Sequence, residues 1–175
     1  MFVVCVAVLA MAAASCASGR ATATGSKGRR DSERVIVVGG ALGGVRAGET
    51  RTAVERLLGS GQTDSVTRHH YPRRRDVTLY RVRYGASGLT IVYGQAGAGR
   101  ERVAGVFSTS PRYHTTTGLR VGATLGIARH RPGIRCTAQE GYVACQGGRG
   151  FEQPVTSFTV RNGRVVQVFM AAAAD

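Results

Sequence analysis

Three clusters in the chain hold residue types that could do chemistry. Cys136 and Cys145 bracket CTAQEGYVAC, His69-His70 lie in the basic run RHHYPRRR at 68 to 75, and VIVVGGALGGVRAGET at 35 to 50 runs β-branched residues into glycines. The cysteine pair could form a disulfide or hold a metal. It is symmetric about Glu140-Gly141, a plausible two-residue hairpin turn. If Gln139 and Tyr142 close that turn, Cys136 falls opposite Cys145 on a non-hydrogen-bonded pair, close enough for a disulfide. A zinc site would need C-x-x-C spacing and a second ligand pair, and neither is present. The adjacent histidines of an extended loop point to opposite sides, so a solvated loop is expected there rather than a metal site.

The glycine cluster raises the question of a nucleotide-binding turn. A dinucleotide fingerprint requires G-x-G-x-x-G between a strand and a helix, followed by an acidic residue on a second strand. Gly39-Gly40-Ala41-Leu42-Gly43-Gly44 puts alanine at the second required glycine, and Gly48 would fall inside the helix. No further βα units follow. GQAGAGR at 94 to 100 lacks the Lys-Ser/Thr pair of a P-loop and reads as a turn. The sequence contains no G-x-S-x-G and no H-E-x-x-H, and its ten acidic residues are scattered. No paired carboxylates emerge for acid–base work. The reading is therefore of a non-enzymatic protein with no catalytic residue, cofactor or metal.

Charge and the N-terminus bear on location. The formal net charge is +14 and the pI about 11.1. Such a balance ordinarily points to a polyanion partner. Of the 24 basic residues only Lys27 is a lysine, and 25 residues are glycine. That bias reads as the mark of a GC-rich genome, so part of the charge is compositional. MFVVCVAVLAMAAASC is an apolar run ending in small residues before Cys16. It is shorter than the ~20 residues a spanning helix needs and fits a secretory leader. Residues 1–15 are read as a signal peptide. Ala13-Ala14-Ser15-Cys16 is similar to a bacterial lipobox, which makes Cys16 the expected lipidation site and mature N-terminus. Residues 16–34 hold no large apolar side chain and read as a flexible tether. The expected localisation is export to the outer face of the cell membrane, lipid-anchored, or secretion. Nucleic acid is not an expected partner: only Tyr71 interrupts the basic run, and exported proteins rarely meet it.

The elements that would position these residues come from an internal repeat. Gly44-Val45-Arg46-Ala47-Gly48-Glu49-Thr50 recurs as Gly118-Leu119-Arg120-Val121-Gly122-Ala123-Thr124. Both read G-[VL]-R-x-G-x-T. Gly48 and Gly122 are expected in equivalent sharp turns, with Thr50 and Thr124 capping the helices that follow. The first helix would set Val54, Leu57 and Leu58 on one face and stop at Gly59. The second, with Leu125, Ile127 and Ala128, would stop at Pro132-Gly133. Strands TLYRVRY and GLTIVY follow in the first unit, and VTSFTV-RNGR-VVQVF forms a hairpin in the second, its Asn162-Gly163 suiting a type I′ turn. Arg102-Val103-Ala104-Gly105-Val106-Phe107 matches Arg164-Val165-Val166-Gln167-Val168-Phe169 as R-V-x-x-V-F. The expected fold class is α+β: two tandem repeats, 35–110 and 111–175, each a short helix packed on a small antiparallel sheet.

These residues carry a resemblance. GVRAGET with VERLLG at 44 to 59, GLRVGAT at 118 to 124 and the Cys136–Cys145 hairpin resemble the repeat shared by the small lipoproteins of outer-membrane assembly and the β-lactamase inhibitor protein. The chain looks especially similar to a group of actinobacterial exported proteins that carry two such units, with a disulfide hairpin in the second. The resemblance covers roughly residues 42 to 170. It implies a protein-binding role in the cell envelope and an open sheet face as the binding surface. On that face the alternation of TLYRVRY puts Arg81 and Arg83 opposite Tyr80, Val82 and Tyr84. Arg81 and Arg83, with Arg73, Arg74 and Arg75 of the basic loop, are the candidate binding residues. The expected partner is an envelope protein. The alternative is an anionic cell-wall polymer or lipid headgroups, and a small extracytoplasmic enzyme is a more distant one. The lipid anchor provides the membrane contact.

Overall fold

The computed structural model describes residues 34–70, 76–148 and 153–172. The signal peptide, Cys16 and most of the tether lie outside the described residues, as do Arg73, Arg74 and Arg75. Twelve strands dominate the described residues: β1 (Val35–Val37), β2 (Ala41–Leu42), β3 (Val45–Arg46), β4 (Gln62–His69), β5 (Val77–Tyr84), β6 (Leu89–Ala96), β7 (Arg102–Ser108), β8 (His114–Thr115), β9 (Ile134–Gln139), β10 (Tyr142–Gly147), β11 (Val155–Arg161) and β12 (Arg164–Ala171). Among the described residues two helices, α1 (Arg51–Leu58) and α2 (Leu125–Arg129), accompany them. Among the described residues no helix is long and apolar enough to cross a membrane.

The expected α+β class is corrected here: the fold is β-rich. Each helix contributes a single buried residue, Val54 from α1 and Ala128 from α2. The layers are instead two sheets, a four-stranded one ordered β3-β2-β1-β8 and an eight-stranded one ordered β4-β5-β6-β7-β12-β11-β10-β9. Two small sheets, one per repeat, were expected. The strands of both repeats share one large sheet because β7 and β12 pair antiparallel, Phe107 opposite Phe169 and Val106 opposite Met170. The helices stay short because the apolar positions that could extend them are used up within about two turns.

The segment read as a possible nucleotide turn folds as a small meander. Val35–Val37 pairs antiparallel with Ala41–Leu42, which pairs antiparallel with Val45–Arg46. Gly43 and Gly44 form the second turn at φ 63° and 80°. Ile36, Leu42 and Val45 enter the core from this sheet, joined by Tyr113 and Leu119 from the segment around β8. They pack with the inward residues of the eight-stranded sheet, among them Val82, Leu89, Ile91, Val106, Phe158, Val168 and Met170. At ~25 cal/mol per Å² of apolar area removed from water, this common core is the main stabilising term.

The two G-x-R-x-G-x-T turns are held by matching hydrogen bonds. Gly48 N–H donates to the Val103 carbonyl and Gly122 N–H to the Val165 carbonyl, each at 2.8 Å. Val103 N–H returns to the Glu49 carbonyl and Val165 N–H to the Ala123 carbonyl, again at 2.8 Å. Gly48 and Gly122 have φ of 77° and 91°, where an L side chain is strained. Thr50 Oγ1 accepts from Ala53 N–H at 3.3 Å, and Thr124 Oγ1 from Ile127 N–H at 3.4 Å. The arginines that open both R-V-x-x-V-F strands lock the same turns. Arg102 Nη1 donates to the Gly48 carbonyl at 2.9 Å, and Arg164 Nη1 to the Gly122 carbonyl at 3.1 Å.

The disulfide is formed. Cys136 pairs with Cys145 across the β9–β10 hairpin, Gln139 pairs with Tyr142, and the Cα atoms of the cysteines are 3.9 Å apart. Asn162 and Gly163 take φ of 49° and 72°, as a type I′ turn requires.

Candidate functional site

One face of the eight-stranded sheet lies in the core and the other is open. The strand sequences decide which is which. In β5, Val82 and Tyr84 are buried while Arg81 and Arg83 are exposed. In β7 and β12 the same alternation buries Val106, Val168 and Met170 and turns Phe107 and Phe169 outward. Residues opposite each other in register share a face. A continuous row therefore crosses the open face: Gln62, Arg83, Thr90, Phe107, Phe169, Ser157, Gln146 and Arg135, one from each strand.

Phe107 and Phe169 stand at the centre of this row. Their ring centroids are 4.3 Å apart and their planes differ by 18°, a stacked pair that is half-buried. They occupy the same place in the two R-V-x-x-V-F strands, so the stack lies where the two halves of the sheet meet. Gly105 makes room for it. A Cβ on Gly105 would fall 2.8 Å from Phe169 Cε2. The Arg81 guanidinium lies 5.8 Å from the centroid of the Phe107 ring, within cation–π range.

The arginines proposed from sequence separate on inspection. Arg81 is on the open face beside the stack. Arg83 is on the same face but is committed to Asp64 of the edge strand, with Nη2 3.0 Å and Nε 3.1 Å from Oδ2. Arg68 and His69 belong to strand β4 rather than to a loop, which the sequence reading missed. Gly48, Thr50, Gly122 and Thr124 make the turns and caps described above, remote in role from the open face. Phe107 and Phe169 were not among the candidate site residues. Their signal was present: both end the repeated motif and alternate with buried valines.

A second polar cluster sits beside α1. Arg51 binds Glu55 at 2.9 Å and Glu101 at 3.1 Å, and its guanidinium is 5.8 Å from the Tyr93 ring centroid. Burial works against the charge of Arg51, but the hydrogen bonds to both carboxylates outweigh it and hold its pKa above the ordinary value. Beneath it, the Tyr84 and Tyr93 hydroxyls meet at 2.7 Å in the core. Burial pushes both phenols above their ordinary pKa. Both carboxylates are thus engaged by one guanidinium, tying α1 to the β6–β7 loop. In comparisons with known proteins, no family model, no curated protein and no solved structure matches this chain.

Among the described residues no three His, Cys, Asp or Glu side chains are grouped to hold a metal ion. The open face presents a stacked aromatic centre, the Arg81 guanidinium beside it, the exposed Arg135 at its far edge, and flanking Thr, Ser and Gln side chains that can donate and accept. A centre of aromatic side chains with arginine beside it is the composition that dominates binding energy at protein interfaces.

Proposed function

We propose that this protein is a non-enzymatic interaction module of the cell envelope. It binds a partner protein through the open face of its eight-stranded sheet. The observation that carries this reading is the half-buried Phe107–Phe169 stack at the centre of that face, with Arg81 over Phe107. Stacked phenylalanines held half-buried on the outer face of a sheet provide a preorganised anchor for an apolar or acidic side chain. The leader-like 1–15 and the lipobox-like Ala13-Ala14-Ser15-Cys16 support export with a lipid anchor at Cys16. The tether 16–34 then holds the folded part off the membrane.

The formal charge of +14 favours one alternative, an anionic polymer or lipid headgroup as partner. Salt separates the two. A polyanion complex weakens by orders of magnitude as salt rises from 50 to 200 mM, by roughly 10³ or more where six phosphates or more are contacted. A packed protein interface changes far less. The test compares envelope proteins retained by the wild type and by Phe107→Ala/Phe169→Ala across that salt range. Retention that persists in salt and is lost in the variant supports the module. Retention equal in both proteins, or abolished by salt in both, overturns it.

A further inference from the structure

We infer that β4 is a self-pairing edge, through which two copies of this chain join antiparallel about Val66 into one continuous sheet. The proposal needs the edge alone and does not rest on the reading of the open face. β4 is the outermost strand of the eight-stranded sheet, and all eight of its residues are exposed. An edge strand presents a row of unpaired N–H and C=O groups, and folded proteins ordinarily blunt it with lysine, proline, a bulge or a cover. QTDSVTRH holds no lysine and no proline. Its one irregularity is a register shift against β5 between Thr63 and Ser65, and from Ser65 to His69 the strand pairs residue for residue. The opposite edge of the sheet is better guarded. There β9 is shorter, its first residue Ile134 is half-buried, α2 packs against it, and the disulfide ties it to β10.

The residues of β4 select a second copy as the occupant. Antiparallel pairing about Val66 sets Val66 opposite Val66 and Ser65 opposite Thr67, and brings Arg68 of each chain level with the Asp64 bulge of the other. The contact is isologous, so each flanking pair occurs twice. Val66 is 58% exposed, more than any other large apolar side chain among the described residues. On the two-fold axis it meets its own counterpart, a cross-strand pair of β-branched residues. Asp64 and Arg68 stand two positions to either side of it, so the antiparallel arrangement brings unlike charges together, whereas a parallel one in the same register sets like against like. Both contacts of Asp64 with Arg83 fall on Oδ2, and a carboxylate can accept at both oxygens. Val66 lies opposite Tyr80 on the core side of the sheet, and paired residues share a face. Both open faces therefore turn the same way, and the dimer presents two phenylalanine stacks on one surface.

The full chain carrying Cys5→Ser and Cys16→Ser, which leaves no thiol outside the disulfide, is followed by sedimentation velocity over a hundredfold range of concentration. At physiological ionic strength the Debye length of about 8 Å screens much of the repulsion between two basic chains. A concentration-dependent dimer is expected. Val66→Lys puts like charges on the axis and should weaken the dimer at least tenfold. Thr67→Lys, beside the axis, should also weaken it and stands in if Val66→Lys unfolds. Single cysteines added to the same chain locate the contact. Under mild oxidation Val66→Cys should crosslink to itself, and Ser65→Cys should crosslink to Thr67→Cys in a mixture, while Ile127→Cys on α2 gives no crosslinked dimer. The Val66→Cys chain is also oxidised in its own envelope. Its capture by a different polypeptide, with no self-crosslink, assigns the edge to a partner's strand and overturns self-pairing. A monomer at every concentration, a dimer unchanged by the folded lysine variants, or crosslinking at Ile127→Cys equal to that at Val66→Cys overturns it as well.

Discussion

Gly105→Ala gives the sharpest reading of how the open face is built. The added methyl would lie 2.8 Å from Phe169 Cε2, closer than real Cβ contacts allow, so the ring has to leave its place on Phe107. Losing the stacked pair costs about 0.5–1.5 kcal/mol. A side chain forced off its rotamer costs about another 0.5–1.5 kcal/mol. Alanine in place of glycine within a strand returns about 0.5–1 kcal/mol. The net destabilisation is then about 0–2.5 kcal/mol. In a Phe169→Ala background the clash is gone, and the same substitution should be neutral or stabilising by up to about 1 kcal/mol. Urea unfolding of the four proteins, with the disulfide intact, measures the cycle. The expected result is a coupling of about 1–3 kcal/mol between positions 105 and 169. Equal effects of Gly105→Ala in both backgrounds would show that the ring does not rest on the glycine, and would refute the reasoning.

Thr50→Ala should lower stability by about 1 kcal/mol through the lost cap, and Thr124→Ala by less because α2 is shorter and more exposed; urea midpoints compare them. Breaking the Cys136–Cys145 disulfide with a paired alanine substitution should cost below about 3 kcal/mol, since the closed loop is short; an unchanged midpoint would show that the crosslink constrains nothing. Burial raises the folded-state pKa of Tyr84 and Tyr93 above the unfolded value, so their stabilisation is present below about pH 10 and falls as pH rises past it. Each tyrosine should contribute a decline of about 1.4 kcal/mol per pH unit there, and Tyr84→Phe/Tyr93→Phe should flatten the slope.

Local signals in the sequence were legible. Asn162-Gly163 takes the positive φ values its type demands, and Cys136 faces Cys145 as the symmetry about Glu140-Gly141 requires. Thr50 and Thr124 cap helices, and the two G-x-R-x-G-x-T segments make the same hydrogen bonds. The class was misjudged because several strands carry no alternating signal. QTDSVTRH is an edge strand exposed along its whole length, and its single apolar residue, Val66, makes no alternating pattern. The strands within VIVVGGALGGVR are two or three residues long and hidden among glycines. The joining of β7 to β12 pairs residues about sixty positions apart, and no short window of sequence contains that information. The same is true of the Phe107–Phe169 stack. The arginines of R-V-x-x-V-F were visible as a repeat, but their bonds to Gly48 and Gly122 depend on the fold.

The central claim is that the open sheet face is where a protein partner binds. Site-specific photo-crosslinking tests it most directly. A photoreactive residue replaces Thr90 or Ser157, which flank the phenylalanine stack in the central row, or replaces Arg56 or Ile127, which are exposed on the helices. Each variant is irradiated in its own envelope. The account predicts covalent capture of the same protein from positions 90 and 157, suppressed by Phe107→Ala/Phe169→Ala, and none of that protein from positions 56 and 127. Capture from the helices instead, or no protein adduct from the open face, would contradict it.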